Sequence, residues 1–145
     1  IICGEGESDR LLSLINSENH VGKIFYAGWV NGVQKDELIA ETDIFILPSH
    51  FEGLPMAILE AMSAGKPIIS TSVGGIPSIV QPHHNGWLIE PGKINQLDPV
   101  IDQIFSEPAI ISRYGFNSLT DAKKFHVNAI VSQLNTIYKE LLTTD

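Results

Sequence analysis

The sequence contains a single cysteine, few basic residues and no long hydrophobic run. One cysteine, Cys3, cannot form an internal disulfide, which is compatible with a reducing compartment. Nine Lys and Arg residues against seventeen Asp and Glu give a formal net charge of −8. This excess of acidic residues argues against general binding to nucleic acid, because such binding needs a basic patch. The apolar runs are too short for a membrane-spanning helix of about 20 residues.

What is present is typical of an ordinary globular domain. The chain has 145 residues, of which 43% are hydrophobic and 18% charged, enough to build a real core. The acidic balance does not exclude a phosphorylated small molecule as ligand. Backbone amides at helix N-termini can hold phosphate without basic side chains.

The first residues read as a strand that has lost its beginning. The sequence starts without methionine, directly on the apolar residues 1–3, and then turns at Gly4-Glu5-Gly6. We therefore expect the chain to be a fragment of a longer protein, and every expectation about activity depends on this.

Short apolar runs alternate with helical patterns along the chain, which is typical of βα units and a parallel sheet. The predicted fold is α/β, a Rossmann-like doubly wound parallel sheet in three α/β/α layers, forming one domain over residues 1–145. The predicted strands are residues 1–3, 23–27, 44–47, 67–70 and 87–89. The predicted helices are residues 8–18, 35–41, 55–64, 78–81, 94–105, 109–116 and 127–142. In the first helix, Leu11, Leu12, Leu14 and Ile15 are expected to face inward.

The turns after the predicted strands are the places to look for a ligand. A doubly wound sheet binds its ligand at the carboxyl ends of its strands. Glycine occurs in each of these turns, at residues 4–6, 28–32, 49–54 and 71–75, and lets the backbone approach a ligand closely.

Glu60 is unusual because it lies in an otherwise apolar helix, which is predicted to be buried most of the way round. One interpretation is a glutamate on a narrow solvent-exposed stripe. The other is a carboxylate turned into a cleft, where its two oxygens accept both hydroxyl groups of a ribose.

Glu52 lies eight positions before Glu60, in the turn between a strand and a helix. The free amides of Gly53, Leu54 and Met56 at this helix start could receive a ligand oxygen. The plainer interpretation of Glu52 is an acid that favours the helix dipole.

The remaining motifs are weaker. Gly74-Gly75 before a helix is a candidate phosphate cradle, but such glycine pairs are common. Gly4 and Gly6 lack the full dinucleotide fingerprint, and a plain turn is the simpler account of them. The five histidines have no metal-ligand spacing, and His83-His84 is expected on the solvated surface.

The order of these motifs resembles the nucleotide-binding half of a family 4 retaining glycosyltransferase with the GT-B fold. The resemblance covers residues 1 to about 92 and has its most specific part in the Glu52–Glu60 block. The segments that carry it are Gly4-Glu5-Gly6, Phe25-Tyr26-Ala27-Gly28, residues 43–49, Glu52-Gly53, Leu59-Glu60-Ala61-Met62, residues 65–69, Gly74-Gly75 and residues 85–89.

The resemblance implies a donor site for a UDP-, GDP- or ADP-hexose. It implies that Glu60 holds the ribose and that Glu52, the catalytic candidate, contacts the donor hexose. It also implies that the amides of residues 53–56 meet the sugar or diphosphate. Trp29 and Val30 would neighbour the base, and Gly4, Gly6, Gly74 and Gly75 would be donor contacts. The implied reaction is retaining transfer of the hexose to an acceptor hydroxyl, with no essential metal and no other cofactor.

The resemblance also implies features of the complete protein that lie outside this sequence. The family's cationic pair for the diphosphate would precede residue 1, and Ser78 stands where the family often has a glutamate. A missing N-terminal domain would bind a glycan or lipid-linked acceptor, in polysaccharide or glycolipid synthesis. The expected location is the cytoplasm, with any attachment to the inner face of the membrane made by that missing half. The isolated chain is expected to be inactive.

Two alternatives stay open at this point. One is another enzyme of the same fold, such as a sugar-nucleotide epimerase or a glycan phosphorylase. The other is a non-catalytic α/β interaction module. Nucleotide binding separates the module from the enzymes, because a scaffold should ignore UDP and GDP alike.

Overall fold

A computed structural model describes residues 1–18 and 20–142, and the chain divides into two compact units, Ile1–Glu41 and Thr42–Asp145. Each unit contains parallel strands that alternate with helices, which confirms the predicted α/β class. The single domain over residues 1–145 stays a prediction. Residues 19 and 143–145, which it includes, lie outside the described residues.

The first unit contains two strands and two helices. They are β1 (Ile2–Cys3), α1 (Ser8–Ser17), β2 (Tyr26–Gly28) and α2 (Gly32–Glu41). Strands β1 and β2 are parallel neighbours. The phenolic hydroxyl of Tyr26 donates to the carbonyl oxygen of Gly4 at 2.8 Å, which ties the end of β1 to β2.

Two boundaries in the first unit differ from the prediction. Strand β2 begins three residues late because the amides of Lys23 and Ile24 both donate to the carbonyl of His20, at 2.9 and 3.0 Å, and close a turn there. Helix α2 begins three residues early, at Gly32. Residues 23 and 24, where the strand was expected to begin, therefore belong to a turn.

Helix α1 is less buried than its composition indicates. Ile15 is buried and Leu11 is half-buried, as predicted. Leu12 and Leu14 are exposed, so the inward orientation predicted for them is wrong. Leu11 and Ile15 are four residues apart and share one helix face, whereas Leu12 and Leu14 point away from it.

The second unit begins with a three-stranded parallel sheet in the order β3-β4-β5. Its elements are β3 (Phe45–Leu47), α3 (Met56–Ser63), β4 (Ile68–Thr71), α4 (Ile76–Ile79), β5 (Gly86–Ile89), the 3₁₀ helix Ile94–Gln96, α5 (Leu97–Ser106), α6 (Ala109–Ala122), the 3₁₀ helix Lys123–Phe125 and α7 (Val127–Leu142). Strand β4 lies between the other two and is buried along its whole length.

The core of this unit surrounds β4. One cluster joins Ile69 of β4 to Trp87 of β5, Ile104 of α5 and Ile110 and Tyr114 of α6. The rings of Trp87 and Tyr114 pack with their centroids 4.8 Å apart. Helix α3 buries Ile58, Ala61 and Met62 and packs against α6. Helices thus cover β4, which is buried along its whole length, as expected for a parallel sheet.

The bounds of three helices in this unit differ from those predicted. Gly75 precedes α4 and Pro77 lies in its first turn, so α4 begins at Ile76 rather than at residue 78. The predicted helix 94–105 is a 3₁₀ turn followed by α5. Helix α6 continues six residues beyond its predicted end at Phe116, through Asn117 and Ser118 to Ala122.

Helix α3 matches its prediction closely. Pro55 immediately precedes its first residue, and Gly65, with φ +71°, lies just past Ala64. Among the described residues, no helix combines the length and apolar character that crossing a membrane requires.

Candidate functional site

The β3–α3 turn (residues 48–55) carries Glu52, which is half-buried. The hydroxyl of Ser49 donates to Oε1 of Glu52 at 2.7 Å. A hydrogen bond to an ionised carboxylate is stronger than one between neutral groups. The carboxylate of Glu52 is therefore fixed at one of its two oxygens.

Strand β4 holds the beginning of this turn. The hydroxyl of Ser70 donates to the carbonyl of Leu47 at 2.6 Å, and the hydroxyl of Thr71 donates to the carbonyl of Ser49 at 2.5 Å. Ser70 and Thr71 are both buried. The buried hydroxyl groups of β4 thus find their hydrogen-bond acceptors in the backbone segment that leads to Glu52.

The β4–α4 turn (residues 72–75) contacts the β3–α3 turn through the backbone. The amide of Gly75 donates to the carbonyl of Gly53 at 2.6 Å. Gly74 has φ +53°, and a Cβ atom added there would lie 1.8 Å from the carbonyl oxygen of Glu52. No side chain fits in this gap. Four of the predicted site residues, Glu52, Gly53, Gly74 and Gly75, are therefore brought together.

The amides of the two turns differ in their availability. Among the described residues, the amides of Gly53, Leu54 and Met56 donate no backbone hydrogen bond, and Leu54 and Met56 are exposed. The amide of Gly75 is already engaged by Gly53. Donors for a ligand oxygen are thus found at the start of α3, as predicted for a helix N-terminus.

Glu60 lies beside a cavity of about 560 Å³. Met56, Glu60 and Ser63 share one face of α3 and line this cavity, and the opposite wall comes from the end of α6, the 3₁₀ helix Lys123–Phe125 and the start of α7. Met56 and Ser63, the first and last residues of α3, are exposed, and the six residues between them are buried or half-buried, which confirms that α3 is buried most of the way round. Glu60 is half-buried on this cavity-facing side.

The wall opposite Glu60 was not predicted from the sequence. It includes Leu119, Lys123, Phe125 and His126. These residues lie about sixty positions beyond Glu60 in the chain, and no spacing rule links positions so far apart. Only the packing of α6 against α3 brings them to the cavity.

The other predicted donor contacts belong to the first unit. The amide of Gly4 donates to the carbonyl of Gly28, and the amide of Ser8 donates to the carbonyl of Gly6, both at 2.8 Å. The first bond joins the ends of the paired strands β1 and β2, and the second closes a turn at Gly6. Both bonds are structural, which favours the simpler of the two interpretations of Gly4 and Gly6. Trp29 is 66% exposed and Val30 is half-buried. The donor-contact role of these four residues stays a prediction.

A polar cluster joins the loop before β5 to α6. Oδ2 of Asp121 lies 3.0 Å from Nε2 of His84 and accepts from the side-chain amide of Asn85 at 3.2 Å, while Nζ of Lys124 donates to Oδ1 at 2.6 Å. Burial alone would raise the pKa of Asp121, but the hydrogen bond and charge of Lys124, followed by those of His84, outweigh it and lower that pKa. His84 is exposed as predicted, yet it is also part of this cluster.

Asn117 and Ser118 extend the same contact. The side-chain amide of Asn117 donates to the carbonyl of His84 at 2.7 Å, and the hydroxyl of Ser118 donates to the carbonyl of Asn85 at 3.1 Å. These bonds explain why α6 runs past its predicted end, because tertiary contacts outweigh weak helix propensity. In the part of the chain that the structure describes, no group of three or more His, Cys, Asp or Glu side chains is arranged to hold a metal ion.

The geometry defines a class of domain before any comparison. It is an α/β domain with glycine-rich turns joined at the carboxyl ends of its parallel strands, and with uncommitted amides at a helix start beside a carboxylate. Ligands bind at this position in open parallel sheets. Residues 1–121 match the family described as glycosyl transferases group 1, and the chain belongs to that family. It corresponds to the C-terminal domain of these proteins.

The similar proteins are longer than this chain. N-acetyl-alpha-D-glucosaminyl L-malate synthase of Bacillus anthracis is 30% identical over 100% of the chain, which spans 38% of that protein. Sucrose-phosphate synthase from Thermosynechococcus elongatus superimposes with a TM-score of 0.80 at 26% identity, covering 96% of the chain and 35% of that structure. The HepE protein of Anabaena, solved with UDP, gives a TM-score of 0.81 at 24% identity, covering 95% and 40%. The fold predicted from the sequence, the C-terminal half of a GT-B glycosyltransferase, is confirmed.

Proposed function

We propose that this chain binds a nucleotide-sugar donor and that the complete protein transfers the hexose to an acceptor hydroxyl with retention at the anomeric carbon. Membership of the glycosyl transferases group 1 family favours transfer over the epimerase and phosphorylase alternatives. HepE has also been solved with UDP-glucose, which supports a donor of this kind.

The observation that carries the proposal is the junction of the two turns. Glu52 supplies a carboxylate that can accept from sugar hydroxyls, and the amides at the start of α3 supply N–H groups that can donate to a diphosphate. In the proposal, Glu52 contacts the donor hexose, and the amides of Gly53, Leu54 and Met56 meet the sugar or diphosphate. Gly74 and Gly75 act by shaping the turn that supports them.

Glu60 is proposed to bind the ribose. Its half-buried side chain lines the cavity of about 560 Å³ beside α3, a volume typical of small-molecule sites. A carboxylate can accept both ribose hydroxyl hydrogens. Trp29 and Val30 are proposed neighbours of the base.

The remaining roles concern the complete protein. The proposed reaction needs no metal, so the diphosphate leaving group would be stabilised by amides and by cations of the protein. The acceptor, a glycan or lipid-linked sugar in polysaccharide or glycolipid synthesis, would bind to the part of the protein outside this chain. We place the reaction in the cytoplasm, with any membrane attachment also made outside this chain.

The test is a titration of the chain with UDP, GDP and ADP, followed by NMR chemical shifts, which tolerates millimolar affinity. We expect one nucleotide to shift the signals of Glu60 and its neighbours on α3, and Glu60→Ala to weaken its affinity about tenfold, as for other hydrogen bonds to charged groups. Shifts at residues 28–32 would support the predicted base contact.

The control is Glu140→Ala, which removes an acid from the exposed C-terminal helix and should leave the affinity unchanged. If no NMR signal shifts with any of the three nucleotides, the proposal for this chain is contradicted and the non-catalytic module is favoured. Equal affinity of wild type and Glu60→Ala for a nucleotide that does bind contradicts the ribose role alone.

A further inference from the structure

Ser49 is hydrogen-bonded to the side chain of Glu52. Its hydroxyl donates to Oε1 at 2.7 Å. Among the described residues, Oε2 of Glu52 accepts no hydrogen bond. Within the described residues, one oxygen of the Glu52 carboxylate is thus hydrogen-bonded to the protein, and the other is available to a ligand.

We propose that Ser49 is a positioning residue for Glu52: it holds Oε1 so that Oε2 is the oxygen presented to a hydroxyl of the donor hexose. This inference rests on the proposed function and adds to it. Ser49 does not touch the substrate. It acts by restricting the rotation of a glutamate side chain, which loses considerable rotamer freedom when it is ordered.

Ser49 can do this because its own backbone is held. The carbonyl of Ser49 accepts from the hydroxyl of Thr71 at 2.5 Å, and Thr71 is 1% exposed. Leu47, two residues earlier, is held by the equally buried Ser70. The chain of contacts therefore runs from the core of β4 to Ser49 and from Ser49 to Glu52.

The other side of the turn is fixed as well. The contact of Gly74 with the carbonyl of Glu52 and the bond from Gly75 to Gly53 hold the backbone on which Glu52 sits. Only the side chain of Glu52 would be free to rotate, and Ser49 removes that freedom. Such ordering before the ligand arrives is what makes a polar contact effective.

The inference predicts a change in preference and not a general loss of binding. UDP lacks the hexose, so its affinity should not depend on the orientation of Glu52. UDP-glucose should lose the contact with Oε2 when Ser49 no longer holds the carboxylate. In Ser49→Ala, we expect the affinity for UDP-glucose to fall about tenfold while that for UDP stays within about twofold.

Two matched variants complete the experiment. Ser49→Thr keeps the hydroxyl and should restore the preference for UDP-glucose. Ser106→Ala removes a serine hydroxyl that donates to the carbonyl of Gln103 in α5, and should behave like wild type. Calorimetry of both ligands on each variant, with an NMR spectrum to verify the fold, gives the ratio of the two affinities.

Each outcome separates the inference from the proposed function. Unchanged UDP-glucose affinity in Ser49→Ala, or an equal loss for UDP and UDP-glucose, overturns the positioning role while the proposed function stands. A wild type that binds UDP and UDP-glucose with equal affinity also overturns the role, because Oε2 would then have no sugar contact. Where the titration identifies GDP or ADP as the nucleotide that binds, that nucleotide and its glucose conjugate replace UDP and UDP-glucose in this experiment. A wild type that binds none of the three nucleotides and none of their glucose conjugates overturns the proposed function and this inference with it.

Discussion

At the residue scale, Glu52 and Glu60 are held in different ways. Glu52 is fixed by a short hydrogen bond from Ser49, whereas Glu60 lines a cavity formed with residues from the C-terminal part of the chain. The proposed roles follow this difference, with Glu52 near the reacting sugar and Glu60 near the ribose.

Glu52→Gln in the complete transferase should lower turnover more than it lowers affinity for free nucleoside diphosphate. The amide keeps the size of the side chain but loses the negative charge, which matters most where charge develops during transfer. We expect kcat to fall on the order of tenfold to hundredfold, with the Kd for UDP nearly unchanged.

Steady-state kinetics and calorimetry measure the two quantities, and Glu107→Gln is the control because the carboxylate of Glu107 pairs with Arg113 at the surface. Losses of similar size in kcat and in UDP affinity would mean that Glu52 organises the turn and does not act on the sugar.

Both carboxylates could be found from the sequence because each breaks a local rule. Glu60 interrupts an apolar helix, and Glu52 stands between a strand and a helix beside a glycine. The partner of Glu52 is only three residues away, yet serines near glutamates are too common for the pair to be singled out. Asp121 is 37 positions from His84, and nothing in the spacing relates them.

At the scale of elements, the β3–α3 and β4–α4 turns depend on each other. Gly74→Ala should destabilise the protein because its Cβ would overlap the carbonyl of Glu52 and its φ of +53° disfavours a side chain. We expect a loss of about 1–3 kcal/mol in the free energy of unfolding, measured with urea.

Gly53→Ala is the matched control, since a Cβ at Gly53 meets no atom within 4 Å and its φ lies outside the left-handed region. A similar loss in both variants would show that the substitutions act through chain flexibility and that the close contact at Gly74 contributes little.

The helices and strands themselves were largely predictable, because the periodicity of apolar residues and the residues that mark helix ends are local features of the sequence. Helix α3 begins and ends within a residue of its prediction, next to Pro55 and Gly65. Helix α6 was predicted too short because Asn117 and Ser118 are poor helix formers, and their bonds to residues 84 and 85 are tertiary. Strand β2 was predicted too early because the turn closed by His20 has no strong sequence signal.

At the scale of the whole molecule, the Asp121 cluster predicts how stability depends on acidity. The folded-state pKa of Asp121 is lowered, so its contribution is fully present above the unfolded pKa of about 3.9 and is lost as the pH falls through the folded value. Asp121→Asn should cost about 1–3 kcal/mol in the free energy of unfolding at pH 7.

That difference from wild type should shrink steadily below about pH 4, because the protonated wild type then resembles the variant. Urea unfolding from pH 7 to pH 3 measures it. Asp102→Asn removes an exposed acid of α5 and serves as the control. A gap between Asp121→Asn and wild type that stays constant with pH would rule out a contribution from the charge of Asp121.

At the same scale, the chain is shorter than its relatives. The chain spans 38% of the length of the N-acetyl-alpha-D-glucosaminyl L-malate synthase that it matches, and the family match covers residues 1–121. The donor half was recognisable because its motifs are local. Which base, sugar or acceptor is used depends on contacts that no short motif specifies.

The backbone contact between Glu52–Gly53 and Gly74–Gly75 has a practical consequence for engineering. Two turns that leave no room for a side chain between them cannot be redesigned separately. A library that varies residues 49–54 alone would sample mostly backbones that the second turn rejects. Exchange of donor preference between relatives should therefore transplant residues 48–55 and 72–75 together, as one cassette.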